Sequence, residues 1–381
     1  MEKRRTILFL ACAAIAGAAL LCGCSKSSIF THKGELIRFA SATKGTASTK
    51  TVYGEVYTTG EGENQKTMQI LDWKTGDMIT IASEQAEVQN IGGDASNYVV
   101  TLKTAGNETD VKSYGTVSNE NENGLMWTEA KDYTFYAVYP KVSDKLTLTA
   151  AGAVTAEIPA EQALSGETKT KTVGEGDDAI TYKVYQPDMN FAYMTAKTEV
   201  SVSGDAGEAP QVPLTFNPAF TAFEFNVSSK DDEIELTQFQ LLSPKGSSDK
   251  LAGTFSMTAG DLGTASAASD ESSVTVPMEE TITATEGLSF TVFTVPVINQ
   301  SALRIRFTSK DGDTDTKTSW VDLKYSDDAE KAGTAGKPLQ FQAGHKYRIN
   351  MLKLPSNQWK ITIAAEFEEW VEAEDEVTIY I

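Results

Sequence analysis

Apolar residues in this chain recur at every second position in short runs, and Gly, Asn, Asp and Ser separate the runs. That period places one face of a strand on a core and leaves the other in water. Residues 78–81, fed by the turn sequence Trp73-Lys-Thr-Gly-Asp77, are a predicted strand, as are 98–102, 133–139 (stopped by Pro140) and 195–202. Residues 214–227 open a second set, continued by 288–297 and 303–308. Near the end of the chain Trp359, Ile361, Ile363, Ala365 and Phe367 share one face, against Lys360, Thr362, Glu366 and Glu368 on the other. After an acidic break at 372–376, Val377, Ile379 and Ile381 resume the alternation. Beyond the first two dozen residues no stretch has helical spacing. The predicted class is all-β, with two tandem β-sandwich domains, 35–205 and 206–381, divided within the Gly/Asp/Pro-rich stretch 204–213.

The start of the chain follows a different pattern. A basic opening (Lys3, Arg4, Arg5) precedes an apolar segment over 7–21, and Leu21-Cys22-Gly23-Cys24 closes it. A small residue before a cysteine at that point reads as a lipoprotein processing site, which makes 1–23 a signal peptide and Cys24 the lipid-bearing first residue. Acyl chains there would bury in a bilayer at about 0.8 kcal/mol per methylene. A polar tether, 24–34, leads to a strand-like run, 35–43. Next comes Lys44-Gly-Thr-Ala-Ser-Thr-Lys50, small, polar and basic, the composition of an exposed and cuttable loop. An anchor, one strand and a cuttable loop in that order predict a strand meant to be removed.

Charge and cysteine content narrow the picture. The chain of 381 residues carries 33 basic and 53 acidic side chains, a net charge of −20. Without the leader, three basic residues and one acidic one fewer, the balance is 30 against 52, or −22. Such a surface disfavours nucleic acid as a partner. All 3 cysteines (Cys12, Cys22, Cys24) lie in or at the end of the leader, so no disulfide can hold the folded part together. No later run approaches the roughly 20 apolar residues of a spanning helix.

In these residues the chain resembles the fimbrillin family, lipoprotein precursors of type V pilus subunits. The resemblance rests on Cys24 and its tether, the early strand ending at a basic residue before Thr51, and Trp73-Lys-Thr-Gly-Asp77. It continues through Tyr133-Thr-Phe-Tyr-Ala-Val-Tyr-Pro140, Pro213-Leu-Thr-Phe-Asn-Pro-Ala-Phe-Thr-Ala-Phe223, Ala343-Gly-His-Lys-Tyr347 and the terminal strand with Trp370. It implies transthyretin-like, Greek-key sandwiches and assembly by strand exchange. The first strand fills a groove until a trypsin-like or arginine/lysine-directed protease at the outer membrane removes it, and a neighbour's C-terminal strand then takes its place. By position, Lys50 is the implied cut, with Lys44 as the alternative. The implied donor residues are Ile361, Ile363 and Phe367, or Val377, Ile379 and Ile381. Implied partners are other pilus subunits, the protease and, before processing, outer-membrane lipid through Cys24; the implied destination is a cell-surface fimbrium.

Catalytic chemistry finds little support in the residues. Beyond the leader the only histidines are His32 and His345, and no Gly-x-Ser-x-Gly accompanies them. With no cysteine past Cys24 and two histidines, a zinc site is not expected, and no other cofactor is implied. Asp311-Gly-Asp-Thr-Asp315 has carboxylates at alternate positions but sits between two predicted strands, 303–308 and 318–323, where a hairpin turn is expected. A non-enzymatic structural role is therefore expected. Two other readings stay open: an anchor or tip subunit of the same kind of pilus, and a monomeric glycan-binding surface lipoprotein using Trp73, Trp127, Trp320, Trp359 and Trp370, although core packing is the favoured role of those rings.

Overall fold

The computed structural model describes residues 32–43, 52–59, 66–102, 113–119, 123–164, 167–174, 176, 179–202, 208–230, 233–243, 250–267, 271–296, 303–311, 315–323, 341, 344–354, 359–366 and 377–380. Among them the regular structure is β apart from short 3-10 turns such as Met189–Phe191. No helix among the described residues is long and apolar enough to cross a membrane.

Two hydrophobic cores organise the strands. Around the first, seven strands close into a barrel, in the order Arg38–Thr43, Gln211–Pro218, Met194–Ser201, Asp132–Tyr139, Asp77–Ala82, Ala95–Leu102 and Ser113–Asn119. Its interior holds the inward halves of the alternating runs: Ile79 and Ile81, Tyr133 and Phe135, Val212 and Leu214. The turn ahead of Asp77–Ala82 is built as its sequence suggests. Gly76 takes φ 97°, a left-handed conformation open to a residue with no Cβ, and the Lys74 amide donates to Asp77 Oδ2 at 2.7 Å. Trp73 then packs edge-on against Tyr139 and Phe216, with centroids 5.3 and 5.0 Å away.

The second core lies between a seven-stranded and a four-stranded sheet. The larger runs Thr168–Val173, Ile180–Tyr185, Glu286–Thr294, Thr221–Ser229, Lys346–Lys353, Trp359–Glu366 and Val377–Tyr380. The smaller runs Ser273–Ile282, Ile234–Leu242, Arg304–Asp311 and Asp315–Asp322. Phe225 and Phe290 from the first meet Phe239 from the second at centroid distances of 4.3 and 5.1 Å, and Phe307 meets Trp359 at 4.4 Å. The all-β class expected from the period-two pattern is what the chain adopts.

The chain passes between the two cores more than once. Gln211–Pro218, which begins inside the stretch read as a boundary, is a barrel strand, whereas the hairpin Thr168–Val173/Ile180–Tyr185 pairs with Glu286–Thr294 in the seven-stranded sheet. A further four-stranded sheet joins Leu146–Leu148 and Ala153–Ile158 to Gly253–Thr258 and Asp261–Ala267. The apolar run 214–227, read as one opening tract, is two strands. The break falls at Ala219 and Phe220, both buried, where the Ala219 amide donates to Tyr193 O at 2.7 Å.

Candidate functional site

The strand Arg38–Thr43 closes the barrel. On one side it pairs in parallel with Gln211–Pro218 over six residues, Phe39 opposite Val212 and Thr43 opposite Phe216. On the other it runs antiparallel to Ser113–Asn119, Ala40 opposite Thr116 and Thr43 opposite Ser113. Without it the barrel would be an open sheet with two exposed edges, each a row of unpaired backbone groups.

Hydrogen bonding extends N-terminal to that strand. The amides of Gly34 and Ile37 donate to Trp127 O (2.9 Å) and Leu125 O (2.8 Å), and the Trp127 amide donates to Glu35 O (3.0 Å). The expected strand 35–43 is thus strand proper from Arg38 and a short ladder before it.

Alternation aims its side chains. Ile37 and Phe39 are buried, Phe39 at 2% exposure, while Arg38 points outward and pairs with Glu208 at 2.7 Å. Phe39 lies edge-on to Tyr98 and Phe135, both centroids 5.3 Å away. Tyr98 is fixed in turn, its hydroxyl accepting the Leu125 amide at 2.8 Å, and burial pushes that phenol well above its usual range. The slot is therefore apolar and aromatic, shaped for one ring. Full burial of such a side chain stabilises by about 1.5–3 kcal/mol. The flanking ion pairs, Lys33 with Glu129 (2.6 Å) and Arg38 with Glu208, are solvent-exposed, so the strand is held mainly by its ladder and by Ile37 and Phe39.

The other site residues fall in three groups. Cys24, Lys44 and Lys50 lie outside the described residues, as do Phe367, Ile381 and Trp370. Ile361 and Ile363 sit in Trp359–Glu366, an interior strand of the seven-stranded sheet bonded along its whole length to Lys346–Lys353, with Ile361 in the core. Val377 and Ile379 sit in Val377–Tyr380, the edge strand, which has one neighbour and four paired residues. The two candidate donor runs thus differ sharply in how much structure each would have to leave.

Trp73, Trp127 and Trp359 are core residues, which removes three rings from any binding platform. Trp320 is 46% exposed on Asp315–Asp322, with the Arg304 and Arg306 guanidiniums 5.6 and 5.0 Å from its ring. The aspartate-rich segment 311–315 joins a hairpin in which Asp311 pairs with Asp315. No group of three metal-ligating side chains occurs among the described residues.

Two features escaped the sequence reading. One is the parallel partner of the first strand, Gln211–Pro218, some 170 residues away, for which no local signal exists. The other is an ion cluster beneath the seven-stranded sheet, where Glu224 pairs with Lys346 and, at 2.7 Å, with Arg348. Its signature was present in the alternation Lys346-Tyr-Arg348-Ile-Asn350, polar on one face and apolar on the other.

No protein-family model matches the chain, and no curated protein is similar to it in sequence. Among solved structures it is similar to a proposed cell adhesion protein from Bacteroides uniformis, at 14% identity over 87% of this chain and 98% of that one, with a TM-score of 0.45. It is also similar to the tip fimbrial protein Mfa3 from Porphyromonas gingivalis with C-terminal truncation, at 7% identity over 86% and 98%, TM-score 0.39. A third likeness is to a proposed polysaccharide-binding protein from Bacteroides thetaiotaomicron, at 11% identity over 91% and 98%, TM-score 0.37.

Proposed function

We propose that this chain is a structural subunit of a cell-surface fimbrium, made as a lipoprotein precursor and polymerised when proteolysis releases its first strand and a neighbour's strand replaces it. The observation that carries the reading is the position of Arg38–Thr43. It is the first strand among the described residues, and it completes a barrel whose other six strands come from residues 77–218. A strand bonded on both sides, one aromatic ring in a slot, and a basic, small-residue sequence directly after it support the reading of a removable placeholder.

The donor in this reading is the run Val377 to Ile381. Its described part is an edge strand with four paired residues, so withdrawal leaves the core of its own sheet in place. Withdrawing Trp359–Glu366 would strip eight paired residues and take Trp359 and Ile361 from the second core. The anchor is Cys24, and the cut falls at Lys50 or Lys44.

N-terminal sequencing of the protein recovered from the cell surface tests the proposal. A start at Thr51 or Gly45 is expected. A blocked Cys24 on protein taken from assembled fibres would overturn it, because the first strand would still occupy the slot.

A further inference from the structure

The seven-stranded sheet has two unlike faces. Phe223, Phe225, Tyr347 and Ile349 point into the second core, and the residues between them, Glu224, Lys346 and Arg348, point the other way. Thr221–Ser229 and Lys346–Lys353 are parallel neighbours with Glu224 opposite Arg348, so carboxylate and guanidinium meet side by side. Lys346 is 1% exposed, and its ammonium pairs with the other oxygen of Glu224. Burial alone would raise the Glu224 carboxyl, but the attraction of Lys346 and Arg348 outweighs it and holds the group well below the usual carboxylate range. The anion is thereby fixed, and two cations are fixed around it.

A cavity of about 260 Å³ opens on this trio. Its far wall is the hairpin Thr168–Val173/Ile180–Tyr185, which contributes Lys169 and Lys171. Four basic side chains and one acidic one therefore line it, in a chain whose net charge is −20. Glu224 offsets one of these charges, and a concave site with a net excess of one sign still focuses the field inside it and concentrates ions of the other sign. Ser289 and Thr291 add hydroxyls, and Pro187 and Tyr185, whose ring centroid lies 4.7 Å from the Lys183 ammonium, add flat surface. A second cavity, of about 270 Å³, shares Tyr185, Gln186, Pro187 and Thr291 with the first and continues past Leu164 and Phe191.

We propose that this cleft binds an acidic oligosaccharide, with the carboxylate of one sugar unit drawn to Arg348, Lys169 and Lys171 and the next unit lying over Tyr185 and Pro187. Each part of the lining has a matching part in such a ligand. A planar guanidinium suits a carboxylate, hydroxyl side chains suit ring hydroxyls, and an aromatic face suits the C–H face of a sugar. The site lies outside the barrel, so it does not rest on strand replacement and would be present in precursor and fibre alike.

The test is titration calorimetry on the full chain after leader removal, at neutral pH and low salt, with trigalacturonate, maltotriose and sodium sulfate as probes. Trigalacturonate should bind and maltotriose should bind at least about tenfold more weakly, since a hydrogen bond to a charged group is worth that much or more. Added salt should weaken the first and leave the second unchanged. Lys169→Glu with Lys171→Glu, on an exposed hairpin and so compatible with folding, should lower trigalacturonate affinity by about tenfold or more; Lys310→Glu, on the other sheet, should not. Equal affinity for maltotriose, unchanged affinity in the double variant, or no trigalacturonate binding would overturn the proposal. Sulfate matching trigalacturonate would also overturn it, reducing the cleft to a bare anion site.

Discussion

The two ends of the described chain both finish as short alternating strands, yet they are attached in opposite ways. Arg38–Thr43 has a neighbour on each side and, with Ile37, plugs the first core through Phe39. Val377–Tyr380 has one neighbour and hangs on the edge of a sheet whose core is already filled by Trp359 and Ile361. Loss of the first would open a groove and two sheet edges, whereas loss of the last would expose only one edge. The difference lies in what each strand leaves behind, not in its own sequence.

The largest effects are expected at the two buried centres. Phe39→Ala should destabilise the barrel by about 3–5 kcal/mol, read as a drop in the denaturant midpoint. An effect under about 1 kcal/mol would mean that the slot collapses around the gap and needs no occupant. Glu224→Gln should cost a similar amount, about 3–5 kcal/mol, because it leaves the buried Lys346 and the half-buried Arg348 without their carboxylate.

Glu224 also sets an acid limit on the sheet that carries the last strand. Its folded pKa is depressed from the ordinary 4.5, so the stability it contributes is complete above that value and lost progressively as pH falls below it. Acid denaturation followed by circular dichroism should show a steep limb below about pH 4.5 that Glu224→Gln flattens. A limb unchanged by the substitution would place the acid sensitivity elsewhere.

Smaller effects sharpen the contrast. Tyr98→Phe keeps the ring beside Phe39 but leaves the Leu125 amide without its acceptor, for about 1–3 kcal/mol by denaturant titration. Deleting 377–381 should cost only about 1 kcal/mol, the worth of a cross-strand pair or two, while abolishing fibre extension. Fibres of normal length from the truncated chain would move the donor role to Trp359–Glu366.

Much of this was legible in the sequence because period-two alternation is a local signal. Residues 78–81, 98–102, 133–139 and 359–366 were placed to within a few residues, since each has one dry face. The hairpin Thr168–Val173/Ile180–Tyr185 escaped notice because its first strand, Thr-Lys-Thr-Lys-Thr-Val, is exposed throughout and carries no apolar stripe. The parallel pairing of Arg38–Thr43 with Gln211–Pro218 was out of reach for another reason. Strands so far apart share no tight turn that could fix their register, and neither segment records its partner alone. The basic cleft was half visible, in the alternation around Lys346, but its far wall came from the unrecognised hairpin.

The most direct test of a replaceable first strand is to cut it loose and watch the sheet. Purified chain should be treated with a lysine-directed protease, and its products followed by size-exclusion chromatography and native gels, beside a Lys44→Ala, Lys50→Ala double variant. The account predicts that cleavage frees the N-terminal fragment and yields a ladder of oligomers, and that the double variant stays monomeric. A ladder from the double variant, or a cleaved monomer that keeps its first strand bound indefinitely, would contradict it.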